Sequence, residues 1–129
     1  MTSKLARRMS STLRNVPVVV VGGGVGGFTA ALGLHRLGIQ SRLVMRDARL
    51  SEAGGAVYLT QGAMRVLDRL GLGSRVRCMG LSVTKHEIYN PSGPCLFEFD
   101  TSAYGRQVYV APRPLLRHAL LESLPPDSV

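Results

Sequence analysis

The hydrophobic positions of the chain change their spacing several times, and each change marks a new predicted element. Four consecutive valines, Val18–Val21, predict a short strand buried on both faces, as in a parallel sheet covered by helices. The next segment, FTAALGLHRLG, gathers its apolar side chains on one side of a helix that Gly38 ends. A second strand is predicted for Ser41–Met45 after a short connection. This order of strand, helix and strand predicts a parallel βαβ unit.

Downstream of this unit the spacing alternates again between helical and extended patterns. Ala56–Thr60 predicts a brief extended segment, and QGAMRVLDRLGLG predicts an amphipathic helix that turns Met64, Leu67 and Leu70 inward. LSVTKHEIYN and PCLFEFD together predict a β-hairpin around a turn at Asn90–Pro94.

The last part of the chain predicts one more strand and a final helix. The strand is GRQVYVAP, and the helix RPLLRHALLESLPP aligns Leu116, Leu120 and Leu124 before two prolines end it. No internal repeat is visible. The whole pattern therefore predicts an α/β fold with a parallel βαβ start and an inserted β-ribbon.

Charge and chain composition narrow the kinds of partner. The net charge of +8 raises the question of nucleic acid, but the basic residues are scattered through every segment, so we expect no nucleic-acid partner. Glycines and a proline interrupt the longest apolar run, so we expect no membrane-spanning segment and a chain that is soluble or at most peripheral to a membrane. Residues 1–15 form a basic leader without acids, which is either an organelle-targeting peptide, for instance mitochondrial, or a disordered segment of a cytoplasmic protein.

The residues that usually carry metal binding or acid-base catalysis are sparse. Cys78 and Cys95 lack a CxxC motif and a histidine at ligand spacing, so we expect two buried thiols in a reducing compartment and no metal site. His35, His86 and His118 each lack a neighbouring second group of the kind that catalysis needs, so no catalytic residue is predicted.

Between the first predicted strand and helix lies a glycine turn, GGGVGG. Gly22, Gly24 and Gly27 satisfy the pattern G-x-G-x-x-G. In this pattern the first glycine allows the tight turn, the second lets backbone approach a diphosphate, and the third lets helix and sheet pack closely. The helix N-terminus then faces the anion with free N–H groups. Because the turn lies inside a βαβ unit, it predicts a Rossmann-type dinucleotide-binding start.

The end of the second strand is where such a fold normally carries an acidic residue for the adenosine ribose. Met45 occupies this position and offers only a weak thioether acceptor. Three alternatives follow. Asp47, which alternation turns to the same side as Met45, reaches the ribose; or Arg46 meets a 2′-phosphate, as in NADP; or backbone and packing alone hold the adenosine.

Three blocks of the chain together resemble one enzyme family. They are VVVVGGGVGGFTAALGLHRLGIQ, GGAVYLTQGAMRVLDRLGLGSRV and VYVAPRPLLRHALLESLP. In sequence and spacing they resemble the N-terminal FAD-binding portion of the FAD-dependent monooxygenases of the aromatic-ring hydroxylase, or p-hydroxybenzoate hydroxylase-like, family. The resemblance implies FAD as cofactor, NAD(P)H as its reductant, and transfer of one oxygen atom of O2 to a small organic, aromatic substrate.

The same resemblance implies which residues contact the cofactor. The diphosphate would lie on the turn formed by Gly22, Gly24, Val25, Gly26 and Gly27. The backbone from Gly54 to Val57, which includes Gly55, would run beside the cofactor, and Arg113 matches the R-x-x-L arginine that contacts the flavin. The alternative for Arg113 is a solvated arginine in the first turn of a helix.

The chain also departs from the family pattern. Besides Met45, the later D-G and G-D motifs and a substrate domain are missing from this sequence. We therefore expect residues 16–129 to be an incomplete FAD-binding domain that does not catalyse on its own. Two rival interpretations are a non-catalytic truncated fragment and another FAD-dependent oxidoreductase, such as an amine oxidase or reductase, with the same nucleotide-binding half.

Overall fold

A computed structural model describes residues 18–46, 54–101 and 108–128 of the chain. In chain order the elements are β1 (Val18–Val21), α1 (Val25–Arg36), β2 (Ser41–Val44), β3 (Ala56–Leu59), α2 (Gln61–Arg69), α3 (Gly73–Met79), β4 (Leu81–Val83), β5 (Lys85–Tyr89), β6 (Cys95–Asp100), β7 (Val108–Pro112), α4 (Arg113–Glu122) and a 3-10 helix (Pro126–Ser128).

The predicted βαβ unit is confirmed. Strands β1 and β2 pair in parallel, in a register that runs from Val18 opposite Ser41 to Val21 opposite Val44. Helix α1 buries Phe28 completely, and it also buries Ala31 and Leu32 one turn later. At its end Gly38 adopts a φ of +72° and donates its N–H to the His35 carbonyl at 2.9 Å, as expected of a glycine that ends a helix.

The prediction that β1 is buried on both faces is wrong. Val18 and Val20 are half-buried, whereas Val19 and Val21 are exposed, and Val21 retains 81% of its accessible surface. Successive side chains of a strand point to opposite faces of the sheet. The described residues therefore cover one face of β1 and leave most of the other face open.

The part of the chain after the βαβ unit contains a three-stranded antiparallel sheet. Strand β7 lies at its centre, with β3 on one side and β4 on the other. Helix α2 begins where Thr60 accepts a hydrogen bond from the Ala63 N–H at 3.3 Å, and it buries Met64 and Leu67 as predicted. Helix α3, which we did not predict from the sequence, follows it and buries Val76.

The predicted hairpin is confirmed for Lys85–Tyr89 and Cys95–Asp100, but not for the segment Leu81–Val83 that precedes them. Strands β5 and β6 pair in antiparallel fashion, and Ile88 lies opposite Phe97. The Asn90 N–H donates to the Pro94 carbonyl across the turn. The preceding segment, β4, pairs with β7 instead of extending the hairpin, and Thr101 donates hydrogen bonds to the Val83 and Thr84 carbonyls at the β4–β5 junction.

The predicted final helix is confirmed as α4, which buries Leu116 and Leu120, but it ends at Glu122, and the buried Leu124 lies two residues beyond it. The chain divides into two compact units, and their boundary falls within this helix. The first unit contains the βαβ elements and the chain from Arg117 onward, and the second lies within Glu52–Leu116. Parallel and antiparallel strands thus combine in the mixed α/β fold that the sequence predicts.

Two further sequence expectations can be compared with the structure. Both thiols, at Cys78 and Cys95, are exposed, which contradicts the expected burial; Cys78 lies on the outward side of α3, and Cys95 begins a strand whose residues are all exposed. No helix in the part of the chain that the structure describes is long and apolar enough to span a membrane. The basic leader, residues 1–15, lies outside the described residues.

Candidate cofactor site

The glycine turn begins with a residue whose backbone conformation excludes other side chains. Gly22 follows β1 directly, and its N–H donates to the Val44 carbonyl at 2.8 Å, which continues the parallel pairing by one step. Its φ of +126° lies in the region that glycine adopts readily and other residues do not. The first motif glycine is therefore required by the turn itself.

The last motif glycine is required by the contact between helix and turn. A Cβ atom built on Gly27 would overlap the Gly22 carbonyl group, and it would also lie 3.6 Å from the Leu43 side chain. Helix α1 therefore packs against the turn and β2 with no space for a side chain at this position. This close packing matches the third role assigned to the motif.

Gly24 and Gly26 differ from these two, because a Cβ at either position would meet no heavy atom within 4 Å. Gly24 is also the N-cap residue of α1, with φ −89° and ψ 177°, and it offers no side-chain oxygen to the first helical N–H groups. The first turn of α1, which starts at Val25, contains no acidic residue either. In contrast to α2, which Thr60 caps, α1 presents an open and uncapped N-terminus that suits a phosphate group.

Beside the turn lies a cleft of about 240 Å³ lined by Gly22, Gly23, Met45, Arg46 and Arg117. Met45 is half-buried, and its sulfur would lie 2.8 Å from a Cβ built on Gly23. The thioether therefore packs against the turn on the side where the family pattern expects a carboxylate. Arg46 is exposed at the same cleft, whereas Asp47 lies outside the described residues.

Arg117 is a residue of this cleft that we did not predict from the sequence. It is half-buried, and its Nε and Nη2 atoms both donate to the Gly23 carbonyl oxygen, at 3.1 and 2.8 Å. Its position beside the buried Leu116 on α4 indicates partial burial at the edge of an apolar face. The position of Arg117 on the helix does not identify its hydrogen-bond partner, Gly23, which lies far away in the sequence.

The second unit brings together another pair of predicted site residues. The Arg113 N–H donates to the Gly55 carbonyl at 3.0 Å, so the start of α4 lies next to the segment that precedes β3. Gly54 lies beside the Arg113 side chain: a Cβ atom built on Gly54 would be in van der Waals contact with two Arg113 carbon atoms, each at 3.6 Å. A Cβ on Gly55 would meet nothing within 4 Å, and the Arg113 side chain is exposed.

The three histidines are exposed or lie against an aromatic ring. His35 and His118 are exposed, and the His86 ring contacts the Tyr58 ring at a centroid distance of 5.4 Å. Within residues 18–46, 54–101 and 108–128, no group of three or more histidines, cysteines or acids has the arrangement of a metal site.

Comparisons with known proteins bear on the ligand of the turn. The family model of an FAD binding domain matches residues 15–125. The FAD-dependent monooxygenase pynG of Aspergillus niger is 40% identical over 72 residues, which are 56% of this chain and 17% of pynG. The 3-amino-4-hydroxybenzoate 2-monooxygenase PtmB3 of Streptomyces platensis is 30% identical over 118 residues, which are 87% of this chain and 30% of PtmB3.

A solved structure shows the same arrangement of elements. The flavin-dependent monooxygenase PieE, solved in complex with FAD and substrate, superposes with a TM-score of 0.70 at 27% identity, over 84% of this chain and 21% of PieE. The chain spans less than a third of the length of these three proteins.

Proposed function

Because the chain belongs to the FAD binding domain family, among flavoprotein monooxygenases related to the aromatic-ring hydroxylases, we propose that its glycine turn and helix α1 hold the diphosphate of FAD. The N–H groups at the start of α1 would donate to phosphate oxygens, and the positive end of the helix dipole would offset their charge. The residues assigned to this contact are Gly22, Gly24, Val25, Gly26 and Gly27.

One observation carries this proposal: the turn contains two glycines that the protein's own packing does not require. Side chains at Gly24 and Gly26 would extend into open space, whereas one at Gly27 would overlap the Gly22 carbonyl group. A ligand that approaches the backbone closely supplies a reason for glycine at the open positions. The uncapped N-terminus of α1 provides donors for that ligand at the same place.

The substitution Gly24→Ala tests the proposal directly. The added methyl group would occupy the space assigned to the diphosphate, so we expect the affinity for FAD to fall about 10-fold, with only a small loss of stability in the FAD-free protein because glycine is the better N-cap residue. Affinity is measured by isothermal titration calorimetry, and stability by thermal unfolding followed with circular dichroism.

Gly33→Ala is the matched control for this experiment. Gly33 lies within α1, and a Cβ there would also meet nothing within 4 Å. Alanine should stabilise the helix by about 0.5–1 kcal/mol and leave FAD affinity unchanged. If Gly24→Ala binds FAD as tightly as the Gly33→Ala variant does, the diphosphate does not lie on this turn.

The remaining cofactor contacts are assigned by the family pattern. We assign Arg113 and Gly55 to the FAD contacts of the second unit, supported by their hydrogen bond and by the open space at Gly55. Arg46 lines the cleft beside the turn, which supports a contact with the adenosine end of the cofactor, and Asp47 follows it in the sequence. The absence of a carboxylate at Met45 implies a weaker grip on the ribose than the family pattern provides.

The activity of the whole protein is a further proposal. Bound FAD would supply the redox chemistry, with NAD(P)H as reductant and O2 as the source of the oxygen atom that enters a small aromatic substrate. The contribution of this chain is to bind and orient the cofactor through the turn, α1 and α4. Residues 16–129 are assigned to the N-terminal part of the FAD-binding domain, and residues 1–15 to a leader outside it.

A further inference from the structure

The guanidinium of Arg117 makes two hydrogen bonds to a single acceptor in the glycine turn. Nε lies 3.1 Å and Nη2 2.8 Å from the Gly23 carbonyl oxygen, and the side chain is half-buried. A charged donor forms stronger hydrogen bonds than a neutral one. Helix α4 therefore holds the orientation of one particular peptide group, the one that links Gly23 to Gly24.

A peptide group is planar and trans, so its carbonyl and its N–H point in opposite directions. The described residues contain no cis peptide bond. When Arg117 holds the Gly23 oxygen, the Gly24 N–H is consequently turned to the side away from the guanidinium. Without such a contact, a run of three glycines has wide freedom in φ and ψ, and this peptide group would rotate easily.

We infer that Arg117 is a positioning residue, which orients the Gly24 N–H as a preformed donor for the cofactor diphosphate. The guanidinium charge also polarises the peptide group that it contacts, which strengthens the N–H as a donor. Because the orientation exists before the ligand arrives, binding does not have to order the turn. The inference rests on the proposed function, since the diphosphate is the acceptor for which this N–H is oriented.

The test compares Arg117→Met with Arg117→Lys and with the control His118→Ala. Methionine keeps the length of the side chain and removes its donors, lysine keeps one charged group, and His118 is an exposed neighbour on the same helix. Two properties are measured on the full chain: the Gly24 amide signal in the ¹H–¹⁵N spectrum of the FAD-free protein, and FAD affinity by calorimetry.

In Arg117→Met we expect the Gly24 amide signal to shift and broaden and FAD affinity to fall about 10-fold. Arg117→Lys should restore part of both properties, and His118→Ala should change neither. An unchanged Gly24 signal in Arg117→Met overturns the inference, even if affinity falls, because the guanidinium would then act on the ligand directly. A shifted signal with unchanged affinity overturns it as well.

The experiment separates this inference from the proposed function. If the unmodified chain and the Gly24→Ala variant have the same FAD affinity, the assignment of the turn to the diphosphate fails. If Gly24→Ala weakens binding and Arg117→Met does not, only the inference about Arg117 fails. If Arg117→Met does not fold, the same two measurements on Arg117→Lys decide: a shifted Gly24 signal together with weakened affinity supports the inference, and a change in only one of the two properties overturns it.

Discussion

Two side chains on either side of the glycine turn differ in what they offer a nucleotide. Arg117 contacts the Gly23 carbonyl through charged donors, whereas Met45 packs a thioether against the same residue. Neither side chain is the carboxylate that accepts hydrogen bonds from ribose hydroxyls in related folds. The cleft beside the turn therefore combines a firmly held backbone with the absence of a carboxylate at position 45.

The substitution Met45→Glu should strengthen the ribose contact. It places a carboxylate at the end of β2, where the ribose hydroxyls could donate hydrogen bonds to it. Arg46 and Arg117 line the same cleft, and their positive charges favour the ionised form of this carboxylate. We expect FAD to bind about 10-fold more tightly, as measured by isothermal titration calorimetry.

The control for this substitution is Met45→Gln, which has the same length and no charge. If Met45→Glu binds FAD no better than Met45→Gln, a carboxylate at this strand end makes no productive ribose contact.

At the level of single residues, the sequence predicted what depends on local chain geometry. Gly22 is recognisable because the turn that follows a strand needs its backbone conformation. Arg117 was missed because its partner Gly23 is 94 positions away, and no spacing rule connects the two. Asp47 stays a prediction, since it lies outside the described residues.

Among the elements, helix α3 shows why periodicity alone is insufficient. Its segment GSRVRCM carries few apolar residues, so its helical structure depends on neighbours: Val76 is fully buried, and the Leu72 side chain that precedes the helix is buried as well. Strand β4 was assigned to the hairpin for a similar reason. An alternating pattern predicts a strand but does not identify the strand with which it pairs.

A bidentate ion pair joins α2 to α3. The Arg77 Nη1 and Nη2 atoms lie 2.7 and 2.8 Å from the two Asp68 carboxylate oxygens. Glycine at position 73 leaves room for this pair, because a Cβ there would overlap the Asp68 carboxylate. The hydrogen bonds from Arg77 lower the pKa of Asp68 below its ordinary value of 3.8, while they raise the pKa of Arg77.

This pair should make the stability of the chain depend on acidic pH. The folded-state pKa of Asp68 is lowered. The contribution of the ion pair to the free energy of unfolding is therefore present above about pH 3.8 and is lost as the pH falls through the lowered pKa of Asp68. Asp68→Asn should therefore lower the thermal midpoint at pH 7, by a small amount since the pair is 40–44% exposed, and the difference from the unmodified chain should shrink toward pH 3.

Thermal unfolding at the two pH values measures this difference. Asp127→Asn, at an exposed position of the 3-10 helix, serves as the control, and we expect it not to reproduce the deficit of Asp68→Asn at pH 7. A deficit of equal size at pH 7 and pH 3 would mean that the ion pair is not its source.

On the scale of the whole molecule, several large apolar side chains remain on the surface. In the β5–β6 hairpin, Ile88 and Phe97 lie opposite each other on one face and are 57% and 55% exposed, while Lys85 pairs with Glu87 and Glu98 on the other face. Matched relatives are more than three times as long as the aligned portion of this chain. The described residues thus leave the apolar face of the hairpin uncovered, and in β6 both faces are exposed.

The short alignment with the relatives leads to a prediction about cofactor content. The aligned residues cover 17% of pynG and 30% of PtmB3, so an FAD site that also uses residues beyond the alignment would be incomplete in this chain. We expect the purified 129-residue chain to contain less than one FAD per chain, as measured from the flavin and protein absorbance bands. Added FAD should raise the thermal midpoint, because a ligand that binds only the folded state stabilises it. A yellow protein that retains one flavin per chain through gel filtration would contradict this expectation.

The two kinds of glycine in the turn would respond differently to evolutionary drift. In a descendant that had lost its cofactor, mutations at Gly24 and Gly26 would be nearly neutral, because open space surrounds both positions. Mutations at Gly22 and Gly27 would still be removed by selection, since they damage the fold itself. The order in which these four codons decay would therefore record whether a lineage lost the ligand before it lost the structure.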